Sequence, residues 1–167
     1  HRRNTVAELS DTPTAYGIEV DIRSDAGRLI LHHDPFTKGE YFEDWLAGYR
    51  HGTLILNVKE EGLEAALIAL MEDRDISDFF FLDQSFPFLV RWARKGEKRC
   101  AVRVSEFESL ETALSLAGMV DWVWVDCFTR FPLSGKEATR LKQAGFRLCI
   151  VSPELQGRDP VREIPVL

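Results

Sequence analysis

Lys142-Gln143-Ala144-Gly145-Phe146-Arg147-Leu148-Cys149-Ile150-Val151 passes from a polar, helix-favouring stretch into an apolar run within a single turn. Gly145 falls where a helix needs a C′ residue with positive φ, and the run that follows has the composition of a strand buried on both faces. The same junction recurs upstream, where Gly96 and Gly118 each follow a helical pattern closely. Working outward, strands are expected at Gly17–Ile22, Arg28–His32, Thr53–Val58, Phe79–Leu82, Cys100–Val104, Trp122–Asp126 and Arg147–Val151. Helices are expected at Phe42–Tyr49, Leu63–Asp73, Pro87–Lys95, Ser109–Ala117 and Gly135–Ala144; Leu63, Leu67, Leu70 and Met71 recur at helical spacing in the second of them.

Alternating strands and helices imply a parallel sheet with right-handed crossovers. Seven strands are visible, and an eighth fits just before His1, with His1-Arg2 at its C-terminal end. The expected fold class is therefore α/β, a compact (β/α)8 TIM-like barrel over residues 1–167 as a single domain. Some helices are missing and the first strand is truncated, because such barrels typically take about 250 residues. The segment from Ile22 to Arg28 is too short to hold a helix. The alternative is an open doubly wound sheet.

The chain has 167 residues, 45% hydrophobic and 29% charged, which is ordinary globular composition and argues against disorder. The formal charge of −6 disfavours bulk nucleic-acid binding but leaves room for a local basic pocket. The longest apolar runs, such as Phe79-Phe80-Phe81-Leu82, fall far short of a membrane span, so no stable membrane insertion is expected. The polar N-terminus lacks the apolar segment of a signal peptide. Cys100, Cys127 and Cys149 are odd in number, lack CxxC spacing and sit in apolar stretches; reduced core thiols in the cytoplasm are the expectation. There is no G-x-G-x-x-G, Walker A or G-x-S-x-G motif to support a dinucleotide, P-loop or serine-hydrolase reading.

In parallel α/β folds the chemistry gathers at the C-terminal ends of strands. Those ends are unusually polar here. Glu19 and Asp21 are two apart on a strand, so both side chains share a face, while Ile18, Val20 and Ile22 fill the other. Two facing carboxylates repel unless a cation lies between them, and a hard divalent ion such as Mg²⁺ or Ca²⁺ meets that need. The competing reading is an exposed edge strand with two solvated acids. His33 ends a strand, and imidazole is the side chain best matched to proton transfer near neutrality; His1 is the second candidate. Arg2, Lys59 and Arg103 are cations expected near the same mouth, where they predict an anionic substrate group; the alternative is charge pairing with Asp21, Asp34 or Asp126. His51 precedes a strand and reads as structural.

Taken in order, these residues resemble the glycerophosphodiester phosphodiesterase family of TIM barrels, relatives of phosphatidylinositol-specific phospholipase C. A contracted His1-Arg2-Arg3-Asn4-Thr5 stands in place of that family's opening motif. Gly17-Ile18-Glu19-Val20-Asp21 matches its Glu-x-Asp strand, His33-Asp34 its His-Asp, Asn57-Val58-Lys59 its Glu-Ile-Lys, and Ser85-Phe86 its Ser-Phe. The resemblance implies that His1 and His33 form an acid/base pair, that Glu19 and Asp21 bind a divalent metal, and that Arg2 and Lys59 hold phosphate. It implies a metal-dependent phosphodiester hydrolase acting on a small glycerophosphodiester-like substrate. Departures are Arg3 in place of a glycine, a shortened segment at Pro35–Arg50, and Asn57 where the family has a third metal carboxylate. Asp126 or Glu154 is a candidate to supply the missing charge. The alternative function is a non-catalytic sugar-phosphate or phosphodiester-binding barrel; a lipid-headgroup phospholipase would need an apolar rim, for which Phe36, Phe42 and Trp45 are candidates.

Overall fold

The computed structural model describes residues 1–163. The chain divides into two compact units, His1–Phe88 and Leu89–Leu167. The first contains β1 (Ile18–Asp25), β2 (Arg28–Leu31), β3 (Glu40–Tyr41), β4 (Leu54–Val58) and β5 (Phe79–Leu82), in the sheet order β3-β2-β1-β4-β5. Its helices are α1 (Val6–Ser10), α2 (Phe42–Leu46) and α3 (Glu64–Asp73), and α4 (Phe86–Arg94) begins within it. The second unit contains β6 (Ala101–Val104), α5 (Leu110–Leu114), β7 (Trp122–Val125), α6 (Gly135–Gln143) and β8 (Arg147–Ile150). A 3₁₀ turn at Pro153–Gln156 and α7 (Pro160–Glu163) follow. Among the described residues no helix is long and apolar enough to cross a membrane.

The (β/α)8 barrel expected from the alternation does not form. The strands make a mixed five-stranded sheet and a separate three-stranded parallel one, with no closed barrel. The reason lies in the shortest connection. Only Ala26 and Gly27 separate β1 from β2, and both occupy the left-handed region, at φ 48° and 81°. Two consecutive positive-φ residues make the tight turn that matches strand twist in a hairpin. A parallel partner would need a crossover of about a dozen residues or more. So β2 returns antiparallel, in register from Asp25↔Arg28 to Ile22↔Leu31, and β3 adds to its far side, also antiparallel. Parallel pairing survives in β1–β4–β5 and in β6–β7–β8, where full crossovers are present.

The hairpin leaves half of one β1 edge to another partner. β2 covers Ile22–Asp25, and the N-terminal residues run beside Glu19–Asp21 instead: Arg3 N donates to Glu19 O at 3.0 Å. Two anchors hold that segment. Thr5 caps α1 in a reciprocal capping box with Glu8, a T-x-x-E signature legible in the sequence. The indole of Trp45, itself fully buried, donates to Arg3 O at 2.9 Å. Around these, Ile18, Val20, Ile22, Leu54, Leu56, Phe80, Phe81, Leu67 and Met71 form the core of the unit, while Leu63 and Leu70 of the expected helical stripe stay partly exposed.

Gly39 makes the closest backbone approach in the unit. A Cβ there would lie 2.2 Å from Leu31 O and 2.8 Å from Leu31 C. Because those atoms are backbone, Gly39→Ala is expected to destabilise the chain by about 1–3 kcal/mol. Urea unfolding with an unchanged midpoint would show that the β2–β3 approach is looser than described.

Candidate functional site

Strand register builds the site. Alternation puts Glu19, Asp21 and Arg23 of β1 on one face, and the parallel pairing Asp21↔Asn57 sets Asn57 of β4 beside them. Glu19 is 3% exposed, Asp21 0% and Asn57 5%, so the reading of two solvated acids on an edge strand is set aside. Buried carboxylates are tolerated only when charges and hydrogen bonds compensate them. Glu19 Oε2 accepts from the Arg2 amide at 2.7 Å and lies 2.9 Å from His1 Nδ1, while Asn57 Nδ2 donates to Glu19 Oε1 at 2.8 Å. Burial works against ionisation of Glu19 and is the largest single influence. The hydrogen bond and charge of His1, with the bonds from Arg2 and Asn57, outweigh it and hold the carboxyl below its ordinary value.

Asp21 is held differently. Asn4 Nδ2 donates to Asp21 Oδ2 at 2.9 Å, and the Asp21 amide donates back to Asn4 Oδ1 at 2.9 Å. Lys59 Nζ lies 3.4 Å from Asp21 Oδ1 and 3.1 Å from Asp83 Oδ2. Lys59 thus links a carboxylate midway along β1 to one just past the end of β5.

The histidines are joined through Arg2. Its amide meets Glu19, which also contacts His1, while its guanidinium Nη2 lies 2.9 Å from His33 Nε2. Arginine has only donors, so His33 Nε2 accepts and carries the lone pair. The ring proton is then on Nδ1, which donates to Asp34 Oδ1 at 2.8 Å. The same bond is the largest influence on Asp34 and, with the nearby charge of Arg2, holds it below the usual aspartate value. To reach both partners, Arg2 adopts φ 51°, in the left-handed region; Asp83 does likewise at φ 60°. Such strain in non-glycine residues tends to collect at functional sites. A cavity of about 690 Å³ borders this group, lined by Arg2, Asn4, His33, Asp34, Lys38 and Glu40 among others. That volume lies within the range of small-molecule sites.

His1, Arg2, Glu19, Asp21, His33, Asn57 and Lys59 therefore come together in the first unit. Arg103 and Asp126 belong to the second, where Arg103 Nη1 lies 3.4 Å from Asp126 Oδ2 and Gln156 Nε2 donates to Asp126 Oδ1 at 3.3 Å. His51 is structural as expected, bonded through Nε2 to Thr12 O at 2.8 Å. Four further side chains contribute, none of them assigned a catalytic, phosphate or metal role from the sequence: Asn4, Trp45, Asp83 and Arg23. Arg23 Nε and Nη2 donate to His33 O at 3.2 and 2.9 Å, and Nη1 reaches Lys59 O at 3.4 Å. This one side chain braces both strand ends. Its i+2 spacing from Asp21 was the available signal; Trp45, a candidate for an exposed apolar rim, is instead fully buried, as is Phe42, while Phe36 is exposed.

The donor set suits a hard divalent cation in kind. Asp21 Oδ1 and Asn57 Oδ1 are buried oxygens without a hydrogen-bond partner, and they sit on register-paired residues. Among the described residues no group of three or more His, Cys, Asp or Glu side chains gathers around a metal position; the set here is two carboxylates and an amide. Compared with protein-family models, with curated proteins and with solved structures, the chain shows no match.

Two outcomes test this geometry. Asn4→Ala strips partners from a buried carboxylate and from its amide, and should cost about 1–3 kcal/mol in denaturant unfolding. Glu19 binds its proton less readily folded than unfolded. Its contribution is therefore complete above the ordinary value of 4.5 and is lost as pH falls through the lowered folded value. Glu19→Gln should flatten the acid limb of the stability–pH curve; an unaltered limb would show that Glu19 is not so held.

Proposed function

We propose that the first unit is a metal-assisted phosphodiester hydrolase acting on a small glycerophosphodiester-like substrate by histidine acid/base catalysis. The observation that carries this reading is the Arg2–His33–Asp34 chain, which leaves a lone pair on His33 Nε2 beside a guanidinium. Arg2 and Lys59 bind the phosphate oxygens. As the guanidinium turns to the phosphate, His33 Nε2 is released to take the proton from a substrate hydroxyl that attacks phosphorus. Asp34 fixes the ring and stabilises the cation formed. Glu19 engages His1 through Nδ1 and leaves Nε2 to deliver a proton to the departing alcohol. Water then opens the cyclic phosphate with the two proton transfers reversed. Glu19, Asp21 and Asn57 would hold a divalent ion, which supplies charge neutralisation and a lowered hydroxyl pKa when bound.

Asn57 favours a second reading, a phosphodiester- or sugar-phosphate-binding domain without turnover. Its amide brings no charge, and its Nδ2 is already committed to Glu19. The setting we propose is cytoplasmic, on the ground that Cys127 and Cys149 stand as thiols in apolar surroundings and form no disulfide.

Hydrolysis of glycerophosphodiesters and bis(4-nitrophenyl) phosphate, with Mg²⁺, Ca²⁺ or Mn²⁺, decides between them. Turnover that falls about 100-fold or more in His33→Ala and in Glu19→Ala is expected. Saturable sugar-phosphate binding with no product under any ion would replace the hydrolase by the binding domain.

A further inference from the structure

A second, smaller cavity of about 210 Å³ lies past Lys59, at the C-terminal ends of β4 and β5; Lys59, Glu64, Asp83, Gln84, Ser85 and Phe88 contribute to its lining. Three of these residues carry buried side-chain oxygens with no hydrogen-bond partner: Glu64 Oε2, Gln84 Oε1 and Ser85 Oγ. Glu64 is fully buried. Gln84 Nε2 donates to Glu64 Oε1 at 2.9 Å, which fixes the amide and makes its carbonyl the unpartnered end. A carboxylate in this position, bonded to one neutral amide, is costly unless a cation compensates it. The lining cation, Lys59, is engaged by Asp21 and Asp83, and Glu60 and Glu61 add further negative charge.

The ligand must therefore bring positive charge and several N–H or O–H donors. A primary ammonium has both, one positive charge and three donors. A quaternary ammonium has the charge but no donors, and it favours a cage of aromatic faces, whereas Phe88 is the aromatic residue in this lining. A bare Ca²⁺ seeks about six to eight oxygens, more than the three unpartnered side-chain oxygens in this lining. We propose that this cavity recognises a primary ammonium group. Resting on the hydrolase reading, it takes the amino-alcohol end of a phosphodiester whose phosphate sits at Lys59, the residue shared by cavity and acid cluster.

The test is NMR titration of the whole chain with ethanolamine, choline, glycerol and CaCl₂ as probes. Ethanolamine should bind saturably and shift the Gln84 side-chain amide, with choline and glycerol about tenfold weaker or more. Glu64→Gln should weaken ethanolamine by about tenfold or more. Should that variant fail to fold by circular dichroism, Ser85→Ala, expected to weaken binding about threefold or more, carries the test. Equal binding of choline or glycerol, Ca²⁺ binding in place of ethanolamine, or affinity undiminished in the folded variants would overturn the ammonium pocket. Ethanolamine binding without any phosphodiester turnover would leave the pocket standing and remove the hydrolase. Turnover with no ethanolamine binding would remove the pocket alone.

Discussion

Two carboxylates buried side by side on one strand set the terms for the rest of the first unit. Glu19 and Asp21 cannot be withdrawn from water without donors and positive charge near each oxygen. The chain meets that demand with five residues from two segments: His1, Arg2 and Asn4 from the N-terminal segment, and Asn57 and Lys59 from β4 and its end. Each partner is thereby fixed in place. An Arg2 amide that must reach Glu19 and a guanidinium that must reach His33 explain why this residue adopts a left-handed backbone. The compensation is incomplete: Asp21 Oδ1 and Asn57 Oδ1 lack hydrogen bonds, and it is this shortfall that makes a divalent ion chemically reasonable here.

Asn57 shows how one residue alters such a balance. A third carboxylate beside Glu19 and Asp21 would add repulsion and could not donate. The amide donates to Glu19 through Nδ2 and keeps one oxygen free. The site gains a self-supporting hydrogen bond and loses a unit of negative charge, which weakens its claim on a cation. The same trade recurs in the smaller cavity, where the Gln84 amide steadies buried Glu64 without neutralising it.

The site was more legible than the architecture. Period-two alternation placed Glu19 and Asp21 on one face, and the polar strand ends pointed to His33, Asn57 and Lys59, because these features are local. Arg103 and Asp126, assigned by the same rule, pair with each other in the second unit. No barrel forms because the strand at Arg28 returns antiparallel instead of adding one more parallel strand. The Asp25-Ala26-Gly27-Arg28 turn already forbade that: two residues can join strands only antiparallel. The bracing roles of Trp45 and Arg23 have no sequence signature, because their partners, Arg3 O, His33 O and Lys59 O, are backbone carbonyls distant in sequence.

The sequence by itself determined where most strands and helices lie, which acids share a face, and the β–α–β–α–β order of the second unit. These follow from periodicity and from junctions such as Gly145, which act over a few residues. Only the tertiary structure decided that the strands split between two sheets, that the N-terminal residues lie along the uncovered half of β1, and that Arg2 joins Glu19 to His33. Those outcomes depend on which edge of a strand is left unpaired and on which donors lie within reach of a buried charge, and both are set by distances that no local pattern encodes.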